Sequence, residues 1–176
     1  MRNVRHRLIA APAAQVWSVV SGLAGPDDAV WPAADWPRLV MDRGLAVGSR
    51  GGHGPIRYRC VRHEPGRLLR FDFAPTTGLH GHHTLTVAAV GPDHCRLAVV
   101  VDARLHDRMR ILWPTMVRWL HEALMEDLFD NIERAATGGL HGAPAQWTRW
   151  VRLVRRLRGA TPVRRVTPAA VRRTGQ

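Results

Sequence analysis

The feature that most constrains the fold of this chain is the stretch from Asp107 to about Thr137. Met109, Trp113, Met116, Val117, Leu120, Leu124, Leu128 and Ala135 recur at helical spacings, which on a 3.6-residue turn makes one apolar stripe. Arg118, Glu122, Glu126 and Glu133 fall near the opposite side, and Gly138-Gly139 follows as a helix stop. At 1.5 Å per residue such a helix would be a rod of roughly 46 Å, suited to lying across a curved sheet. Pro114 lacks a backbone donor, which predicts either a kink there or a helix proper that begins near it.

What precedes the rod reads mostly as strands. Val4, His6 and Leu8 alternate with Arg5 and Arg7, and Ala11-Pro12 opens a short helix with Val16, Trp17 and Val20 on one face, closed by Gly22. Residues 24–37, with three prolines, Trp31 and Trp36, predict a short second helix or a compact loop. Leu39, Met41 and Leu45 begin a glycine-punctuated series of strands. The pattern then sharpens into strands over Ile56–His63, Leu69–Phe73, His80–Val90 and Cys95–Leu105, with turns at Pro65-Gly66, Pro75–Gly78 and Gly91-Pro92-Asp93. One strand, helices, successive hairpins and a final long helix define an α+β architecture with about six or seven antiparallel strands.

Composition removes several classes. Cys60 and Cys95 are the only cysteines, too few for a disulfide framework and without metal-ligand spacing around them, so a reducing compartment is expected. There is no run of eighteen apolar residues. Arg2, Arg5 and Arg7 before Leu8–Ala14 faintly suggest a signal peptide, but Pro12 and Gln15 interrupt it and a strand explains it better. All 26 basic residues are arginine. Residues 1–142 carry 17 Arg against 14 acids, whereas residues 143–176 carry 9 Arg and no acid. The basic character belongs to the tail, so the pI near 11.6 is not a nucleic-acid signature of the whole protein.

The opening Val4-Arg5-His6-Arg7-Leu8-Ile9-Ala10-Ala11-Pro12-Ala13-Ala14-Gln15-Val16-Trp17 resembles the strand-then-"APxxxVW" start of the START-like, or SRPBCC, superfamily. His63-Glu64-Pro65-Gly66-Arg67-Leu68-Leu69 resembles its "xxPPxxL" hairpin, and Leu124-Met125-Glu126-Asp127-Leu128-Phe129-Asp130-Asn131-Ile132 is similar to its last helix. The resemblance covers about residues 3–137. It implies a helix-grip fold with a hydrophobic cavity between sheet and long helix, but no single function, since the superfamily includes lipid carriers, hormone receptors, cyclases and oxygenase subunits.

Period-two alternation assigns Val4, His6, Leu8, Ile56, Tyr58, Cys60, Leu69, Phe71, Phe73, His83, Leu85, Val87, Leu97, Val99 and Val101 to the inner sheet face. A one-residue register error would invert any strand. His83, Tyr58 and His6 are therefore the candidate catalytic residues: imidazole moves protons near neutrality, and a phenol can donate to an enolate oxygen. Each also has an ordinary reading as a satisfied buried polar group. Candidate ligand contacts are Trp36, Phe71, Phe73, Leu85, Val99, Trp113, Met116 and Leu120, for which plain core packing is the competing explanation. His80-Gly81-His82-His83 invites a metal reading, but no further ligand completes a site locally, so neither metal nor cofactor is expected.

In the tail, Trp147, Trp150, Val151, Val154 and Leu157 form one stripe and Arg149, Arg152, Arg155 and Arg156 another. Such a helix fits docking on its own chain or a dimer mate, contact with an anionic membrane through Trp147, Trp150, Arg149, Arg152 and Arg156, or, less readily, nucleic acid. The expected organisation is a ligand-binding domain over residues 1–140, a basic amphipathic helix over 141–158 and a disordered Arg-rich tail over 159–176. The expected function is binding of an apolar lipid- or polyketide-like molecule, with an aromatase/cyclase-type enzyme and a membrane- or protein-associated module as alternatives. A cytoplasmic or membrane-peripheral location is expected.

Overall fold

The computed structural model describes residues 1–157. Strand β1 (Arg2–Ile9) leads into helix α1 (Ala13–Val20), and a long loop carries the chain to β2 (Val40–Met41). Strands β3 (Arg50–His53), β4 (Ile56–Glu64), β5 (Leu68–Phe73), β6 (Leu79–Ala89) and β7 (Cys95–Leu105) follow. Helix α2 (Met109–Leu112), a π-helical segment (Trp113–Val117) and α3 (Arg118–Thr137) run without a break, and α4 (Arg149–Leu157) ends the described chain. Pro114 lies in the π segment, whose wider turns accommodate the missing donor; Gly138 ends the rod in the left-handed conformation at φ 81°.

All strand pairs are antiparallel, in the order β1-β7-β6-β5-β4-β3-β2. First and last strands pair, so the long helix leaving β7 returns across the concave face. A bulge between Cys60 and Arg62 bends the β4–β5 ladder. Gly81 lets β6 and β7 approach: a Cβ there would lie 2.1 Å from the Asp102 carbonyl oxygen. The result is a seven-stranded curved sheet gripping a long helix, the helix-grip architecture.

Strands β4 to β7 present the expected inner face, with Cys60, Leu69, Phe71, Leu85, Val87, Leu97, Val99 and Val101 all buried. Strand β1 is inverted. Val4 and Leu8 are 44% and 56% exposed, His6 is exposed, and Asn3, Arg5 and Arg7 point toward the helix. The helix face opposite the apolar stripe is the cause: it turns Glu122, Glu126, Asp130 and Glu133 to β1. Arg7 Nη1 donates to Asp130 Oδ1 at 2.6 Å and to Glu133 Oε2 at 3.1 Å, and its Nη2 donates to Glu126 Oε2 at 2.9 Å. Arg5 pairs with the other oxygen of Glu126, and Asn3 donates to Glu122 at 2.9 Å. Asp130 and Glu133 are only 6% and 4% exposed, so this seam is an internal ion network rather than a wet surface.

The buried side of the rod is correspondingly rotated. Met125, Phe129, Ile132 and Ala136 join Leu124 and Leu128 in the core, whereas Ala135 is exposed. Residues 24–37 form turns rather than a second helix; Asp28 holds that loop by accepting from the backbone of Ala24, Val30 and Trp31.

Helix α4 docks on its own domain. Val151 and Val154 are buried, Trp147 Nε1 donates to Asp127 Oδ2 at 2.8 Å, and Trp150 Nε1 donates to the Thr115 carbonyl at 3.0 Å. The expected tail over 159–176 lies outside the described residues.

Candidate functional site

Sheet and rod do not close completely on each other. A cavity of about 490 Å³ remains between them. Its walls come from β4, β5 and β6 (Tyr58, Phe73, His83), from the rod (Trp113, Met116, Leu120, His121), from the loop at Asp35–Pro37 and from Arg155 of α4. Exposed lining residues such as Pro37, Gly54, Pro55, Thr76 and Arg108 mark its rim.

Two polar pairs stand in this apolar wall. Tyr58 Oη and His53 Nε2 are 2.5 Å apart, and His83 Nε2 and His121 Nε2 are 3.3 Å apart. The pairs touch through rings: Tyr58 stacks near His83 with centroids 6.2 Å apart, and Trp31 and Trp113 flank His53 and His121 at 5.0 and 6.1 Å. Burial keeps the imidazoles neutral. It pulls His53 down to about 3 and His83 down to about 4, with nearby positive groups adding to the effect, and holds His121 well below the usual histidine value. Burial likewise pushes the Tyr58 phenol up. At neutral pH the group is a protonated phenol and three neutral imidazoles. In the His83–His121 pair one ring must donate and the other accept, which ties their tautomers together.

The rim has a charged corner. Asp127, half-buried, accepts from Trp36 Nε1 at 2.7 Å as well as from Trp147. Burial raises its pKa, and the two indole bonds oppose that. The Arg155 guanidinium lies over the Trp147 and Trp36 rings at 3.9 and 4.5 Å, with Asp35 at 4.0 Å. Helix α4 thus completes one side of the cavity.

Of the expected catalytic residues, Tyr58 and His83 line the cavity. His6 does not: β1 faces the other way, so His6 sits on the outer surface, remote from any enclosed ligand. Trp36, Phe73, Trp113, Met116 and Leu120 line the cavity as expected. Phe71, Leu85 and Val99 do not; they lie deeper in the packed core, where neighbouring side chains cover them. Trp147 belongs to the intramolecular docking contact rather than to an outer surface. His53 and His121 are cavity residues that the period-two sequence pattern does not single out. His121 follows Trp113 and Val117 at four-residue steps, a signal that was available; His53 sits among Gly51, Gly52 and Gly54, where no alternation exists to read. Arg155 falls on the basic stripe of the tail helix by sequence, yet its side chain is only 14% exposed.

A gripped helix, a mostly apolar cavity and a few convergent polar groups define a small-molecule-binding fold of the START-like type. Residues 1–137 match the family of polyketide cyclases, dehydrases and lipid-transport proteins, and the chain belongs to that family. A search of curated proteins found no sequence match. Among solved structures, norcoclaurine synthase from Thalictrum flavum in complex with dopamine and hydroxybenzaldehyde is similar at a TM-score of 0.59 and 17% identity, covering 81% of this chain and 90% of that one. A protein from Thermobifida fusca is similar at 0.58 and 18%, covering 81% and 99%. CalU16 from Micromonospora echinospora is similar at 0.54 and 17%, covering 92% and 85%. At these identities the likeness establishes the fold alone.

Proposed function

We propose that this protein binds a predominantly apolar small molecule, lipid- or polyketide-like, in the gap between sheet and long helix. The observation that carries this reading is the 490 Å³ cavity itself, walled by Phe73, Leu79, Val101, Trp113, Met116 and Leu120. A ligand burying about 300 Å² of apolar surface there would gain roughly 7 kcal/mol before ordering costs. The family includes lipid-transport proteins, and the fold relative from Thalictrum flavum holds small hydroxylated aromatics, which agrees with a ligand of this kind. Titration with an apolar fluorescent probe such as 1-anilinonaphthalene-8-sulfonate tests the proposal. Saturable one-site binding that disappears in Leu120→Trp supports it; binding unaffected by that substitution overturns it.

A second reading, acid–base catalysis of the cyclase type, is supported by the Tyr58–His53 and His83–His121 pairs. Neutral imidazoles can accept a proton from a carbon acid, and a protonated phenol can donate to the oxygen that gains charge. Turnover of a poly-β-keto substrate lost in His83→Gln and Tyr58→Phe, with probe binding retained, supports catalysis; equal turnover in the variants overturns it.

A further inference from the structure

Docking accounts for only one face of α4. Val151, Val154 and Arg155 turn inward, whereas Trp150, Leu153 and Leu157 are 46%, 47% and 78% exposed. On a helical projection these three fall within an arc of about 60° on the outer side, and the exposed Arg149, Arg152 and Arg156 occupy the adjoining arc of about 60°. The apolar strip continues onto the rod. Trp150 bonds to the Thr115 carbonyl, and Ile111 and Trp119, 70% and 36% exposed, lie one turn to either side of Thr115. Arg118 sits over the Trp119 ring at 4.8 Å. Segment 143–157 contains no acidic residue, and Glu122, the carboxylate close to Arg118, is engaged by Asn3 and Arg118. Exposed leucine and tryptophan beside a row of arginines that have no acidic partner among the described residues are matched to one environment. Apolar side chains enter the acyl boundary, indoles sit at headgroup level, and guanidinium groups meet lipid phosphates.

The geometry points to this surface as a docking site for an anionic lipid bilayer. It borders the cavity rim, because Arg108, Leu112 and Met116 line the cavity from the same stretch of rod that carries Ile111 and Thr115. A docked molecule therefore holds its opening beside the headgroups, where an apolar ligand can pass without crossing open water. Charge complementarity favours this occupant over a second copy of the chain, whose matching face would set arginine against arginine.

The test is co-sedimentation of the full chain with vesicles of phosphatidylcholine alone and with one quarter phosphatidylserine. The wild type should partition onto the anionic vesicles at least about 25-fold more strongly, since two arginines alone are worth that much near an anionic surface. Two variants separate the contributions: Leu153→Asp/Leu157→Asp keeps every arginine, and Arg152→Gln/Arg156→Gln keeps the apolar strip. At roughly fivefold per arginine near an anionic surface, the second pair should lower partitioning about 25-fold. Equal binding to both vesicle types, or unchanged binding by the leucine variant, overturns the proposal. So does a concentration-dependent dimer that the leucine variant abolishes, or oligonucleotide binding competing with the anionic vesicles at equal salt. Probe binding in the cavity, measured on the same variants, confirms that they fold and separates this result from that of the cavity reading.

Discussion

Replacing Arg7 with methionine tests the inverted first strand and the ion seam together. Methionine keeps much of the apolar stem and removes the cation that Glu126, Asp130 and Glu133 share. The Arg7 side chain is 21% exposed, and the Asp130 and Glu133 side chains 9% and 6%. Breaking a buried pair costs about 3–5 kcal/mol because the partner charge is left uncompensated. Arg5 still holds Glu126 and the site is partly wet, so about 3 kcal/mol at pH 8 is expected. For a domain of this size that corresponds to a melting temperature lower by roughly 6–12 °C. Urea unfolding of variant and wild type reads the loss directly. A loss below 1 kcal/mol at pH 8 would refute the seam as a source of stability.

The buried histidines predict acid lability. His53 and His83 hold depressed folded values of about 3 and 4, and the unfolded chain titrates near 6.5, so the unfolded state binds more protons between those limits. Stability is therefore fully present above about pH 6.5 and falls as pH drops toward 4, by about 2 kcal/mol per histidine at pH 5; His83→Leu should remove its share of that loss, and an unfolding free energy constant from pH 7 to 5 would contradict the assignment. Asp127→Ala leaves the Trp36 and Trp147 indoles without their acceptor, and about 1–3 kcal/mol of α4 docking should vanish, read as faster amide exchange over Arg149–Leu157. Asp127→Asn, which keeps an acceptor oxygen, should restore most of that protection.

The fold was legible because its largest commitments are periodic. The rod, the hairpins from Ile56 to Leu105 and the Ala11-Pro12 helix start all repeat or punctuate within a few residues, and the structure follows them. The candidate site was half legible for the same reason: Tyr58 and His83 alternate cleanly with their neighbours. Strand β1 defeated the reading because alternation fixes two faces without saying which is inward. Arginine usually marks water, but here the matching carboxylates lie some 120 residues away on another element, and Ile9, fully buried on the arginine parity, was the available clue. Phe71, Leu85 and Val99 share an inner face with cavity residues yet meet core instead, since depth along a strand is decided by what packs opposite. His53 and Arg155 owe their placement to a glycine-rich hairpin and to tail docking, neither of which leaves a period.

The measurement that bears most directly on the cavity is native mass spectrometry of the full chain purified without detergent, alongside Leu120→Trp, each mixed with a stoichiometric amount of a mid-length lipid or aromatic polyketide. If the gap between sheet and rod is the binding site, the wild type carries one ligand mass and the variant, with an indole filling the space, carries none. Ligand retained equally by both proteins, or by neither across a panel of such molecules, would contradict the claim that this protein exists to hold a guest there.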